Sequence, residues 1–370
     1  MVNKCSRCLL DDSINGVVVN QDGNCNLCTE FIDRLNQFKS KDLDLELKNL
    51  IRNVKWSGRG KKYDCVVGVS GGVDSSTVLV KCKELGLKPL AVHMDNGWNS
   101  ELAQSNITNL IENLDVDLVT HVIDWQEYKS MMECFFSSDV VDIELLYDNA
   151  MLGVNYYYAH KYGIKYIFSG TNIETEGMAM PEGWNWFKFD KLNIKDICIK
   201  NGFSKFSTFP FIGTLDYIFY EKIRGIKWIS ILNYIKYNKE ASLEKLERKY
   251  SYKRYKSKHD ESVFTKFYQN YLLPKKFGID KRKVHLSNLI ASGQLDKKIA
   301  EKEIGDTSSL QSSNNKELIQ YFLKKLDWDD AKLNEYLGRP PVYHSNYKSE
   351  KSLWNFFKKI YFSFSGKKFR

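Results

Sequence analysis

Residues 65–76 read CVVGVSGGVDSS: an apolar run enters paired glycines and leaves through Asp74 and two serines. Glycine lets a backbone take positive φ and approach a ligand closely. A helix begun directly after such a turn offers free N–H groups and the positive end of its dipole. Together they make an anion site, to which Ser70, Ser75 and Ser76 add hydroxyl donors. The expected ligand is a polyphosphate, held across Ser70, Gly71, Gly72, Val73, Asp74, Ser75 and Ser76. Two familiar phosphate loops are excluded, because no Lys follows the glycines and the spacing G-x-G-x-x-G is absent.

A second chemical signal precedes it. Cys5-x2-Cys8 and Cys25-x2-Cys28 are separated by sixteen residues. Each pair can wrap one side of a tetrahedral ion, so the two predict a four-thiolate zinc site. Between them, Asp22-Gly23 is a hairpin turn signal within an alternating segment, which suits a zinc ribbon. A disulfide framework and a redox or sulfur-carrying pair are the weaker alternatives. A ribbon this short has little core, so metal binding would supply most of its folding energy. The remaining Cys65, Cys82, Cys134 and Cys198 sit in apolar contexts and are expected in the core.

The elements that must position these groups alternate. Strands are expected at 64–69, 89–93, 117–122 and 165–169, with helices at 74–85, 100–114, 125–137 and 145–162. This order predicts an α/β fold with a parallel sheet, whose ligands gather beyond the carboxyl ends of the strands. Two other strand ends are therefore candidates: His93, Asp95 and Asn96 after the second, and Gly170, Thr171 and Asn172, followed by Glu174 and Glu176, after the fourth. The expected divisions are a ribbon at 1–40, a helical linker at 41–62 that overlaps one polar helix read over 29–56, and the nucleotide domain at 63–200. A helical substrate-binding region at 201–344 and a basic aromatic tail at 345–370 follow.

The loop S-G-G-V-D-S-S resembles the pyrophosphate (PP) loop of the N-type ATP pyrophosphatases, the adenine nucleotide alpha hydrolase-like fold. The segment 258–294, KHDESVFTKFYQNYLLPKKFGIDKRKVHLSNLIASGQ, resembles the bacterial N-acetyl sugar amidotransferases, as do YIFSGTNIETEG and the N-terminal Cys pairs. The resemblance runs to about residue 340. It implies ATP and Mg²⁺ as cofactors, beside structural Zn²⁺, and an AMP-forming, ligase-type reaction. An acetamido group on a nucleotide-activated, UDP-linked sugar becomes an acetamidino group, for surface polysaccharide such as O-antigen or capsule. The amide oxygen takes AMP, and ammonia then expels it. Asp74, Asn172, Glu174, Glu261 and Lys276 are the residues it nominates for catalysis; His93, Asp95, Gly170, Thr171, Lys281 and Arg282 join the loop in binding. Glu261 or His285 could move protons as ammonia attacks, and His259 and Lys266 share the same stretch. The sequence IELLYDNAM departs from the family, which often carries proline and histidine before the helix at 145–162, although Asp148 still fits.

No glutaminase constellation stands out, and the chain begins Met1-Val2. The resemblance therefore implies separate partners, like the glutaminase and ammonia-conducting subunits of imidazole glycerol phosphate synthase. The basic block 275–283, KKFGIDKRK, has five basic residues to one acid and reads as a phosphate grip or a solvated face. The tail at 345–370 carries seven basic residues and Glu350, hence +6, with an aromatic side. It suits docking on its own protein or an anionic membrane.

Among 370 residues, 43% are hydrophobic and 27% charged, as in a soluble globular protein of two or three units. No apolar run reaches the ~18 residues of a membrane span, and no signal peptide is visible, so a cytoplasmic location is expected. A net charge of +9 favours anionic partners. The alternative function is a PP-loop tRNA thiolation enzyme with a zinc ribbon. That reading needs a reactive cysteine near the loop, whereas the favoured one expects no nucleic acid.

Overall fold

The computed structural model describes residues 2–255, 260–305 and 313–365; His259 and the last residues of the tail, 366–370, lie outside them. Five strands form a parallel sheet: β1 (Cys65–Gly68), β2 (Pro89–Asp95), β3 (Leu118–Val122), β4 (Tyr166–Ser169) and β5 (Lys227–Ser230). Their order is β3-β2-β1-β4-β5, with Val67 paired to Ala91 on one side and Phe168 on the other. The chain winds outward from β1 to β3, then returns to the far side of β1 for β4. A crevice therefore opens where β1 and β4 end, the switch point at which such sheets bind ligands.

β1 is buried on both faces, and its alternation divides the core. Val66 packs with Leu90, Val92, Phe135 and Tyr156, whereas Cys65 and Val67 pack with Val78, Leu79 and Leu110. The helix Val73–Glu84 follows β1 directly and Gly86, at φ +68°, ends it, because the left-handed turn needs a residue without Cβ. Ser100 caps the helix Glu101–Leu114 by accepting from the Ala103 N–H, and Asp124 likewise caps Trp125–Ser137 through the Glu127 N–H.

Two expectations change. The helix over 29–56 is two helices, Asn26–Lys39 and Leu43–Ser57, because Asp42 turns its carboxylate onto the Leu45 N–H and starts a new helix. The region after residue 200 is not wholly helical, since β5 extends the sheet with Ile167 paired to Trp228. Residues of the nucleotide domain's sheet thus reach Ser230, beyond the boundary at 200. Further on, the helix Lys239–Tyr250 packs on Val73–Glu84, and a π-helical stretch, Tyr268–Phe277, continues Val263–Phe267. The helix Arg282–Ala291 comes next, and the C-terminal helix Lys351–Ser365 closes the described chain. Among the described residues, no helix is long and apolar enough to cross a membrane.

Candidate functional site

A cavity of about 980 Å³ lies over the carboxyl ends of β1, β2 and β4, at the top of the ~300–1,000 Å³ range of ligand sites. One wall is the glycine turn. Gly71 stands at φ +83°, and a Cβ there would meet the Ala103 carbonyl oxygen at 2.8 Å. Gly72 precedes the helix Val73–Glu84 with no side-chain cap, so its first amide groups stay available to an anion. Ser70 and Ser75 fold the turn on itself: their hydroxyls lie 3.2 Å apart, the Ser70 N–H donates to Ser75 Oγ, and Ser75 donates to the Gly72 carbonyl. Gly170, just past β4, touches this turn. A Cβ there would lie 2.9 Å from the Ser75 nitrogen. Thr171 lines the cavity and bonds Ser169 and Ser230 at 2.8 and 2.7 Å.

Three tyrosines that sequence reasoning missed hold the turn from outside. The hydroxyls of Tyr252 and Tyr255 donate to the Gly71 carbonyl at 2.8 and 2.9 Å, and Tyr237 donates to the Asp74 carboxylate. Burial raises all three phenols, Tyr255 to about 12, so they remain protonated donors. They follow the turn by more than 160 residues, and no local pattern in the sequence marks them.

Other predicted residues divide. Val73 and Ser76 are buried in the first turn of the loop helix. His93 lines the cavity, with Nδ1 2.9 Å from the Val69 carbonyl and Nε2 3.2 Å from Asn99. Burial lowers its pKa, which favours the neutral ring. Asp95 turns away to accept from the Gly97 N–H and the Asn99 amide, so it shapes the turn after β2 and does not line the cavity. Asn172 caps the short helix Ile173–Glu176 and lines a smaller neighbouring pocket. Glu174 does so too, pairing with Lys39 at 3.0 Å, while Glu176, two residues on, faces the large cavity. Placing Glu174 in the reaction centre is therefore corrected, since residues two apart on a helix face different sides.

The opposite wall comes from residues 261–288. The main chain of Glu261 accepts from the Ser100 N–H, and its carboxylate stands 3.8 Å from where a Cβ on Gly72 would be. Lys281 pairs with Glu144 at 2.8 Å, and Gln269 donates to the same carboxylate. Lys188 lies between Asp142 and Asp148 at 2.6 and 2.8 Å. Burial would raise the Asp142 carboxyl, but Lys188 and Lys281 hold it below its usual range. These lysines and carboxylates present donors and acceptors side by side, which suits a hydroxylated ligand. Arg282 and His285 also line the cavity, Arg282 with Asp280 2.8 Å away.

Lys276 is a second correction. Its side chain is wholly buried, 2.9 Å from Asp139, and donates to the carbonyls of Tyr336 and Arg339, away from the cavity. Four of the five basic residues in the block 275–283 are paired in space. Lys276, Lys281, Arg282 and Lys283 each meet a carboxylate, namely Asp139, Glu144, Asp280 and Asp11.

At the N-terminus the Cys5 and Cys28 sulfurs are 3.6 Å apart, as are those of Cys8 and Cys25, and all four lie within 4.8 Å of one another. A zinc ion with ~2.3 Å Zn–S bonds separates thiolates by roughly 3.8 Å, so the cluster fits one. Hydrogen bonds from Cys25 and Cys8 pull the Cys28 thiol down to about 2, while those to Cys25 and Cys28 push Cys8 far up. Four buried thiols cannot all ionise without a cation among them. Val19 and Cys25 bridge antiparallel, with Gly23 at φ +76° in the turn, as the hairpin signal predicts. The ribbon rests on the helix Arg282–Ala291, where the Leu9 N–H donates to Ser287 and Lys283 faces Asp11. Zinc would thus brace a helix that lines the large cavity.

Two family models match. Residues 46–179 match NAD synthase, and residues 261–361 match the C-terminal domain of the LPS biosynthesis protein WbpG-like family. No curated protein matches the chain. Among solved structures, the NH3-dependent NAD synthetase from Campylobacter jejuni is 18% identical with a TM-score of 0.29, over 45% of this chain and 80% of that one. The NMN synthetase from Francisella tularensis is 16% identical with a TM-score of 0.28, over 55% and 80%. The parallel sheet and the NAD synthase match show a PP-loop α/β fold, and the four cysteines are compatible with a zinc ribbon. Together the two family matches are consistent with the PP-loop N-acetyl sugar amidotransferases.

Proposed function

We propose that this chain, which joins an NAD synthase-type PP-loop domain to a WbpG-like C-terminal domain, is an ATP-dependent amidotransferase of lipopolysaccharide biosynthesis. Its substrate is a nucleotide-activated N-acetyl sugar, which it converts to the acetamidino sugar. One observation carries the reading: a single cavity is lined both by the PP-loop and by Glu261, Gln269 and Lys281 of the WbpG-like region.

The chemistry follows from the two walls. The amide oxygen attacks the α-phosphorus of ATP, a P–O bond to the leaving pyrophosphate breaks, and an O-adenylyl imidate forms. The uncapped amides of the loop and the Ser70 and Ser75 hydroxyls receive the pyrophosphate charge. Ammonia then adds to the imidate carbon, gives up a proton and expels AMP. Glu261, whose carboxylate lies beside Gly72, takes that proton in this reading. Mg²⁺ would neutralise the polyphosphate, with Asp74 supplying a carboxylate at the loop. The Lys188–Asp148 and Lys281–Glu144 pairs are suited to hold the sugar hydroxyls. A separate glutaminase with an ammonia-conducting partner supplies the nitrogen, and ammonium salts should replace it in vitro.

tRNA thiolation is disfavoured, because Cys65, Cys82, Cys134 and Cys198 are buried and none lines the cavity. The test incubates the protein with Mg-ATP, an ammonium salt and each of several UDP-N-acetyl sugars. Mass spectrometry should find oxygen exchanged for NH with one sugar. Conversion of none, with thiolated tRNA formed instead, would overturn the reading.

A further inference from the structure

The C-terminal helix Lys351–Ser365 carries two apolar stripes. The inner one is docked. Trp354 stacks on Phe189 and meets Phe187 and Tyr217, with ring centroids 4.8–5.4 Å away, and the Lys222 ammonium sits 4.3 Å over Tyr361. The outer stripe is bare: Leu353, Phe356 and Ile360 recur at i, i+3 and i+7 and are exposed, as is Phe362, with Phe356 and Phe362 each 57% accessible. The neighbouring helical segment, which holds Tyr217 against Trp354, has a stripe of its own. Leu215, Phe219 and Ile223 recur there at i, i+4 and i+8, and Ile223 is 71% accessible.

Single exposed apolar side chains are ordinary, but seven on two packed helical segments mark a docking surface. The charge on the helix narrows the occupant. Lys358 and Lys359 stand among these residues, while Lys351 turns its ammonium over the Trp186 ring, and no acidic residue occurs between 351 and 365. A second copy would set lysine against lysine. An apolar stripe beside lysines whose stems can lie along it while the ammonium groups reach outward matches a lipid interface.

We propose that the outer face of Lys351–Ser365, with Leu215, Phe219 and Ile223 beside it, docks on an anionic lipid surface. The aromatic and aliphatic side chains enter the headgroup boundary, and the lysines meet lipid phosphates. This holds the cavity's products near membrane-bound glycan chemistry, but the inference does not rest on the reaction proposed above.

Cosedimentation of the full chain with phosphatidylcholine vesicles, with and without phosphatidylglycerol, tests it. The expected result is binding to the anionic vesicles, weakened by salt. Phe356→Ser with Ile360→Ser should weaken it at least about tenfold, and Lys358→Gln with Lys359→Gln about fivefold per lysine, with ATP turnover in solution unchanged. Binding equal on both vesicle types, binding to neither, or full binding by the serine variant would overturn the proposal. So would a dimer in solution that the serine variant dissolves, since the occupant would then be a second copy.

Discussion

Gly71→Ala is the perturbation whose consequences the structure defines most sharply. The residue stands at φ +83°, where an L side chain costs about 1–2 kcal/mol. Its new methyl would also lie 2.8 Å from the Ala103 carbonyl oxygen and 3.0 Å from its Cα, both backbone atoms at the start of a helix. Overpacking of that kind costs about 1–3 kcal/mol. The sum, about 2–5 kcal/mol, is a large share of the ~5–15 kcal/mol that holds a domain together. Relief requires the turn to move, which pulls the Gly71 carbonyl from Tyr252 and Tyr255 and spoils the amide nest. Thermal unfolding should fall by several degrees and pyrophosphate release should be lost. Gly60→Ala is the control: φ is +75° but nothing lies within 4 Å, so it should lose about 1 kcal/mol and keep full activity. The reasoning fails if Gly71→Ala releases pyrophosphate normally, or if both variants lose activity alike.

Other outcomes follow from single contacts. Tyr252→Phe with Tyr255→Phe removes both donors to the Gly71 carbonyl; it should raise KM for ATP several-fold with little change in melting temperature, read by steady-state pyrophosphate release. Chelation of zinc, or Cys8→Ser, should unfold the ribbon and loosen the helix Arg282–Ala291; hydrogen exchange should increase at both, and a change at the ribbon alone would refute the bracing role. Lys276→Met leaves the Asp139 carboxylate with Arg339 as its remaining cation and should cost about 1–3 kcal/mol in denaturant unfolding, with kcat per folded molecule retained. His344 is held near neutral by burial, its pKa down at about 4 against 6.5 unfolded. The unfolded chain therefore binds the extra proton first, and this contribution, full above pH 6.5, is lost as pH falls toward 4. By about pH 5 wild type should have lost about 2 kcal/mol more than His344→Gln does, and equal losses would refute the assignment.

The parts legible in the sequence were those whose cause is local. The strand, the glycine turn and the start of its helix fall within a dozen residues, and the spacing of the paired cysteines predicts the four-sulfur cluster. β5 was not legible: it has four residues, Lys227–Ser230, exposed or half-buried, too short for a period of two to show. The basic block misled because a run of charge in sequence says nothing about which carboxylates fold against it. Asp139, Glu144 and Asp11 come from elsewhere in the chain and claim Lys276, Lys281 and Lys283. The tyrosine braces belong to the same class, being contacts between segments that only the fold joins. Glu174 and Glu176 show a finer limit, since the motif brings both to the site and a helical step between them sends one to Lys39 and the other to the cavity.

The central claim is that the acetamido oxygen leaves on AMP. A nucleotide-linked N-acetyl sugar carrying a heavy-oxygen label in its acetamido group, turned over with Mg-ATP and an ammonium salt, tests it directly. The label should be recovered in the phosphate of AMP, with unlabelled pyrophosphate beside it. Label in orthophosphate accompanied by ADP, or label retained in the sugar while AMP forms, would contradict the account.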